Sequence, residues 1–551
     1  MRTVDALATL LRRAGVTRFV CYPTSPVIEA LAAAGAQPIV CRQERVGVGI
    51  ADGLARTTAG EETAIFAMQF GPGVENAFAG IATAYSDASP VLLLPLGHPR
   101  ARHGLRGYYD PSRSVAPVTK SYETLTVPER LHDALRRSFV ALRQGRPGPA
   151  LLEVPWDVAT AEIDEPLPEL TTLPRLRSRG AAADVERIAR RLTSASRPVV
   201  LAGQGVLYAQ ATEQLVALAE FLELPVATTL LGKSAFPEDH ALALGTGGVG
   251  LPGALVEAFQ NADLVLAVGT SLTRHYMTVK IPPGIPVLQV TNAPDDLGRE
   301  VAIEDGVVGD AALVLEDLLA CCRDHVRGRK PDRRNVRESI AAARSAWLAE
   351  WSSRLESESR PLSPYRVVAD CMRAIPPKHA IVTHDAGSPR DQVTPFYRAA
   401  APRGYLSWGK SHALGAGLGL IMGAKLARPE KVCINFMGDA AFGMVGLDLE
   451  TAVRARIPII TVVLNNSTMA VETESMKVSH GLYKTRDIGG DYAAIARALG
   501  AHAERIEEPG EIAPAFRRAR EVTEAKGLPV LLEFITAAET AVSHRAAFGL
   551  F

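Results

Sequence analysis

Short apolar runs rich in β-branched residues alternate with amphipathic stretches along the chain, the pattern of strands and helices in parallel α/β sheets. In the first part the periodicity predicts a helix over Val4–Ala14 and strands over Phe19–Tyr22, Thr63–Met68 and Val91–Leu96. A second block opens with "RPVVLAGQG" and includes "ADLVLAVGTSL" and "IPVLQVTNA", apolar runs that each end in glycine or polar residues. In a third block, Val432–Met437 and Ile457–Leu464 read as strands on either side of an amphipathic helix over Gly446–Arg456. The acidic, proline-rich "EIDEPLPELTTLPRLRSRG" separates the first two blocks. A charged, proline-punctuated stretch from "RDHVRGRKPDRRNVRESI" to "SSRLESESRPLSP", with one amphipathic helix inside it, separates the second from the third. The expected fold class is α/β: three doubly wound parallel-sheet domains over residues 1–165, 185–325 and 362–551, akin in pattern but not in repeated sequence.

The ends of these runs carry the chemistry. In "FMGDAAFGMVGLDLETAVRARIPIITVVLNN" a lone acid follows the first strand and paired asparagines close the second. A right-handed crossover joins neighbouring parallel strands, so their carboxyl ends lie together and Asp439 converges with Asn466. A carboxylate and an amide oxygen at one point are hard ligands, suited to magnesium or calcium rather than zinc. Ala440, Ala441 and Gly443 keep the start of the following helix small enough for main-chain N–H groups to approach an anion. The pair points to a metal-bridged diphosphate, with a turn aspartate and a capping asparagine as the plain structural alternative. In "CRQERVGVGIADGLARTTAG", Glu44 stands between the strand-like "PIVC" and a helix, where the helix dipole alone would favour an acid. In "MQFGPGVENAFAG", Gly71, Pro72 and Gly73 follow another strand and precede Asn76, which is also the make-up of an ordinary turn.

The 551 residues suffice for about three domains of ordinary size. With 60 basic and 60 acidic side chains the formal charge is zero, so no electrostatic footprint for nucleic acid or an anionic membrane exists and a small-molecule partner is expected. The six cysteines show no metal-ligand or redox spacing, which fits a reducing cytoplasm. No apolar run approaches membrane-spanning length, and "MRTVDALATLLRRAGV" reads as an amphipathic helix rather than a signal peptide.

Taken together, these segments resemble the thiamine diphosphate enzymes of the acetolactate synthase and pyruvate decarboxylase superfamily, over nearly the whole length. The family's metal motif opens Gly-Asp-Gly and closes Asn-Asn; here it is Gly438, Asp439, Ala440 and then Asn465, Asn466, with alanine in place of the last glycine. The resemblance assigns Mg²⁺ to Asp439, Asn466 and the main-chain carbonyl of Thr468. The run from His384 to Gly387 aligns with acetolactate synthases through Phe396-Tyr397, Pro402-Arg403 and Gly415. That alignment sets Gly387, Ser388 and Pro389 by the diphosphate, Leu414 beneath the cofactor, and the His412 carbonyl against its 4'-amino group. It also places Pro23, Gly73 and Asn76 on the cofactor's side of the first, pyrimidine-binding domain. Glu44 matches the glutamate that shares a proton with the aminopyrimidine, so that the ring's imino form can take the proton from thiazolium C2. Since the family joins its first and third domains across two subunits, a homodimer or homotetramer is implied.

The segment "STMAVETESMKVSHG" bears on the reaction. Glu472 falls where pyruvate decarboxylases carry an acid beside the thiazolium, although a solvated helix glutamate is an equal reading. Ser475 replaces the tryptophan of acetolactate synthases. His98 and His103 lie near the loop in which pyruvate decarboxylases pair two histidines, and Lys120 matches a lysine near the substrate channel of acetolactate synthases. Gly203-Gln204-Gly205, Gly269 and Arg274 in the middle block sit where FAD or ADP could lie, but Gly-x-Gly alone is weak and an empty structural domain is preferred. The expected activity is cleavage or formation of a C–C bond next to a carbonyl: decarboxylation of a 2-oxo acid, carboligation of the acetolactate synthase kind, or turnover of an acyloin-type substrate. Its alternatives are a 2-hydroxyacyl-CoA lyase or oxalyl-CoA decarboxylase type and, from another class, a nicotinamide dehydrogenase or silent nucleotide-binding protein.

Overall fold

A computed structural model describes residues 1–23, 25–164, 167, 169–326, 333 and 335–544. The first expected domain's boundary at 165, part of the second connector at 327–332 and 334, and residues 545–551 of the third domain lie outside the described residues.

The first sheet contains β1 (Arg18–Cys21), β2 (Gln37–Val40), β3 (Ala64–Met68), β4 (Val91–Gly97), β5 (Ser121–Thr124) and β6 (Ala150–Pro155), ordered β2-β1-β3-β4-β6-β5. The middle sheet runs β12-β11-β10-β7-β8-β9, from β7 (Pro198–Ala202), β8 (Val226–Thr228), β9 (Ala243–Thr246), β10 (Leu264–Val268), β11 (Val287–Thr291) and β12 (Asp305–Val308). The third is β14-β13-β15-β16-β18-β17, from β13 (Ala380–His384), β14 (Tyr405–Leu406), β15 (Val432–Gly438), β16 (Ile460–Asn465), β17 (His502–Ile506) and β18 (Val530–Ile535). Every pairing in these sheets is parallel. The inner strands β3, β4 and β6 are buried at every residue, as helices on both faces of a parallel sheet require.

The predicted strands agree with the observed ones to within a residue at most ends, and the first helix is Thr3–Arg13. The third block departs more. Its helix starts at Asp439, directly after β15, runs to Val445, passes through a 3-10 turn over Gly446–Asp448 and resumes as Leu449–Arg454. Periodicity sees only the later, amphipathic half, because the first half is small and apolar and carries no polar stripe.

The first and third domains meet where the Glu44–Thr57 helix crosses the Ala416–Ala427 helix. The crossing is made of glycines. A Cβ on Gly53 would lie 2.1 Å from the Leu420 carbonyl oxygen, and one on Gly423 2.1 Å from that of Ile50. Backbone against backbone brings the loop ahead of Ala416 close to the start of the Glu44–Thr57 helix.

Candidate active site

The third sheet reverses its strand order between β13 and β15, and ligands of open α/β sheets bind at the carboxyl edge of such a switch point. A cavity of about 60 Å³ opens there. Gly387, Ser388 and Pro389 form one side of it, at the N-terminus of the Ser388–Phe396 helix, and Gly438, Asp439, Ala440 and Ala441 form another. Asn466, Thr468 and Leu414 complete the wall. Gly387 takes φ +86°, a left-handed conformation that glycine adopts without strain, and turns the chain from β13 into that helix. Asp439 is buried; its Oδ1 accepts the Ala440 N–H at 2.8 Å, and its Oδ2 accepts those of Ser467 at 2.7 Å and Asn466 at 3.2 Å. Burial raises the Asp439 pKa while these N–H groups pull it down. Asn466 Oδ1 accepts the Thr468 N–H at 3.1 Å, folding this segment back over the aspartate. Among the described residues no three His, Cys, Asp or Glu side chains are placed to hold a metal ion together. A cation at this point would therefore be held by one carboxylate, an amide oxygen and main-chain carbonyl, with its remaining positions open to water and phosphate, a set that suits Mg²⁺.

Glu44 faces a different cavity. This space, about 410 Å³, lies at the carboxyl edge of the first sheet and is lined by Tyr22, Gln69 and Asn76 on one side and by Met444, Leu447 and Asp448 on the other. Glu44 is buried, which raises its pKa against a hydrogen bond from Asn76. Asp448, which the sequence reading missed, accepts the Arg42 N–H at 2.8 Å and is pushed up to about 6 by burial. Gly73 packs its α-carbon against Gln69, and Pro23 stands exposed beside Tyr22 at the same edge without lining the cavity. At the end of β4, the His98 ring lies tilted against Phe70 at 4.6 Å and edge-to-face with Tyr108 at 5.4 Å, and burial lowers its pKa.

The other expected residues stand apart from both cavities. Glu472 lies just past the lining residue Val471, and its Oε2 accepts the Ser475 hydroxyl at 2.7 Å on the exposed rim. His103 is exposed. Lys120 precedes β5, at the amino edge of the first sheet, and its Nζ donates to the carbonyls of Ala141 at 2.6 Å and Gln144 at 2.5 Å. A cation there caps the C-terminus of the Leu131–Arg143 helix, so within one chain this lysine serves a helix end. His412 turns its ring outward, 5.6 Å from Tyr276 of the middle domain, and holds φ +40°, a left-handed backbone unusual for a residue with a side chain.

In the middle domain, a Cβ on Gly203 would lie 2.4 Å from the Gly269 oxygen and one on Gly205 2.7 Å from its α-carbon. These glycines exist for the close approach of the turns after β7 and β10. Beside them, however, lies a cavity of about 1270 Å³ reached by Arg146, Arg274, Asp310 and Lys410. Among the described residues no helix is long and apolar enough to cross a membrane.

Three segments match descriptions of one family: residues 1–116 "Thiamine pyrophosphate enzyme, N-terminal TPP binding domain", 185–318 its central domain, and 385–534 its C-terminal TPP binding domain. A probable acetolactate synthase large subunit of Methanocaldococcus jannaschii is 30% identical over 94% of this chain and 90% of its own. The chain belongs to the thiamine pyrophosphate enzyme family. It is thus a thiamine diphosphate-dependent enzyme of the decarboxylase, carboligase and transferase group. A sulfoacetaldehyde acetyltransferase of Rhodobacter capsulatus is 31% identical over 97% of this chain and 94% of its own, and a glyoxylate carboligase of Escherichia coli O157:H7 27% over 98% and 94%. A benzoylformate decarboxylase structure from Polynucleobacter necessarius superposes with a TM-score of 0.82, covering 98% of this chain and all of that one at 23% identity, a likeness of fold.

Proposed function

We propose that this enzyme uses thiamine diphosphate and Mg²⁺ to decarboxylate a 2-oxo acid and to pass the acyl unit to a proton or to a carbonyl acceptor. The observation that carries the reading is the single wall in which Gly387–Pro389, Leu414, Asp439, Asn466 and Thr468 meet. Asp439, Asn466 and the Thr468 carbonyl would hold the metal. The N-terminus of the Ser388–Phe396 helix would face the diphosphate, where its dipole favours negative charge. When bound, the cofactor supplies a nucleophilic thiazolium carbon and an electron sink.

Glu44 holds the proton to be shared with the aminopyrimidine, and burial favours the acid form it needs for that. In the reaction the bond between the carbonyl carbon and the carboxylate breaks, CO₂ leaves, and the electron pair left on that carbon takes up a proton or a carbonyl carbon. The wall names no donor or acceptor. The relatives' names speak of acetolactate, glyoxylate and sulfoacetaldehyde, and incubation with thiamine diphosphate, Mg²⁺ and a panel of 2-oxo acids, reading CO₂ and acyloins, tests the proposal. No product from any of them would sink it.

The Glu44 cavity and the Asp439 cavity share no lining residue in one chain, which supports a working form, homodimer or homotetramer, in which a second copy completes the site. Met444 and Leu447, 53% and 59% exposed at the rim of the Glu44 cavity, supply apolar surface for it to cover. A fully active monomer in sedimentation would contradict this. A second reading, favoured by the size of the middle cavity, is that FAD or ADP binds there. Flavin absorbance of the purified protein, or ADP binding by calorimetry, decides it.

A further inference from the structure

Leu414 reaches the wall of the Asp439 cavity from a loop, the segment between β14 and the Ala416–Ala427 helix. Charged side chains from outside the loop hold it. Asp385, fully buried after β13, accepts N–H groups from Gly415 at 2.8 Å and Gly417 at 3.0 Å. Asp87 of the first domain accepts those of Gly409 at 3.2 Å and Lys410 at 3.4 Å. It is itself held by Arg56, which donates to the Ser407 carbonyl at 2.9 Å. The last attachment is Arg45, whose guanidinium donates to the Leu414 carbonyl itself and sits within the field of the Asp385 carboxylate.

Arg45 directly follows Glu44 in the first turn of one helix. Successive helical residues point about 100° apart, so one turn can serve two places. Here Glu44 faces the cavity of the first domain, while Arg45 reaches the loop of the third.

We propose that Arg45 is a positioning residue for the cofactor: by holding the Leu414 peptide it keeps that side chain in the wall of the Asp439 cavity, and it ties this wall to the turn that carries Glu44. The proposal rests on the thiamine diphosphate reading above. An arginine spanning two domains can also be plain packing, and the molecule contains its own control. Arg18 donates across the same domain junction to the Leu426 carbonyl at 2.8 Å, at the far end of the Ala416–Ala427 helix and away from the cavity.

The test compares Arg45→Met, Arg45→Lys and Arg18→Met in the full-length protein. Two quantities are read: amide hydrogen exchange of residues 409–417 without cofactor, and thiamine diphosphate affinity with Mg²⁺ by calorimetry. Loss of one charge-assisted hydrogen bond corresponds to a ten- to hundredfold change, roughly. Arg45→Met is expected to speed exchange in 409–417 and to weaken binding by about tenfold or more, Arg45→Lys to recover most of both, and Arg18→Met to leave both at the wild-type level. Unchanged exchange and affinity in Arg45→Met would overturn the proposal. So would equal weakening by Arg18→Met, or faster exchange spread evenly over both crossing helices, since either makes Arg45 ordinary packing. If the wild type failed to bind thiamine diphosphate, the cofactor reading would fall, and the exchange of 409–417 would still judge whether Arg45 holds the loop.

Discussion

The first and third domains are built alike and equipped differently. Numbered within each domain, both sheets run 2-1-3-4-6-5, whereas the middle sheet runs 6-5-4-1-2-3. At the carboxyl edge of the third, glycines, a carboxylate and an amide oxygen face a narrow cavity. The same edge of the first presents Glu44, Gln69 and Asn76 to a wider one. On the proposed function one scaffold would serve two tasks, phosphate and metal on one copy and proton transfer on the other, with each task resting on the few residues after a strand. Binding and activation should then fail separately.

Asp439→Ala should have the largest effect. With the carboxylate gone, a bound diphosphate has no metal bridge, and thiamine diphosphate affinity should be lost even at high Mg²⁺. Calorimetry measures it directly, and wild-type affinity in this variant would remove the metal from the third domain's edge.

Glu44→Gln should act on the other copy alone. The amide keeps the size of the side chain and loses the acid, so cofactor stays bound while C2 deprotonation slows by about 10² to 10⁴. Hydrogen exchange at C2, followed by NMR on quenched samples, reads that step without knowledge of the substrate. An unchanged exchange rate would reduce Glu44 to a helix-end acid, and a lost affinity would erase the division between the two edges.

The placement of these residues at the sheet edges was legible in the sequence because it depends on short range. Asp439 and Asn466 follow the two strands of one crossover, and Glu44 follows a strand, so periodicity alone puts them at an edge. What could not be read depends on distant chain meeting chain. Arg45 and Leu414 are 369 positions apart, and Asp87 meets Gly409 across 322; nothing local marks either as a partner. Lys120 shows the converse: its match to a family lysine says nothing of the helix end that takes its ammonium group within the chain. Small residues give periodicity little to read: it draws only the amphipathic half of the helix after Asp439, whose start the small residues themselves mark, and the Gly203-x-Gly205 turn, a weak nucleotide mark, packs against Gly269.

The junction between the two like domains offers a milder perturbation. Gly423→Ala would press a methyl group into the Ile50 carbonyl, and since backbone must move to admit it, a cost of about 1–3 kcal/mol is expected. The thermal midpoint should fall, with the loop ahead of Ala416 losing protection first. Gly443→Ala, inside a helix where a Cβ would meet nothing within 4 Å, is the matched control and should hold the midpoint or raise it slightly. If both variants melted alike, close approach would not be what joins the domains.

The smallest effect concerns pH and lies wholly in the third domain, where the edge of β13 carries two buried neighbours of opposite habit. Burial pushes Asp385 up to about 6, against the three N–H groups it accepts, and pushes His384 down to about 3. A carboxyl raised in the folded state stabilises most below its unfolded value and loses that contribution as pH rises through about 6. A histidine depressed in the folded state stabilises most above its unfolded value and loses that contribution as pH falls towards about 3. Between about pH 4 and 6 the two slopes oppose each other, so the pair adds little net pH dependence to the wild type. Asp385→Asn removes one slope and leaves the other. The variant, although less stable throughout because an amide replaces the carboxylate that accepts from Gly415 and Gly417, should gain stability relative to wild type as pH rises across that window, by at most about 1.4 kcal/mol per pH unit. Urea midpoints at several pH values measure the difference. Parallel curves would mean that Asp385 is already ionised throughout the window, held so by its N–H donors and by Arg45, and the loop it anchors would then owe nothing to pH.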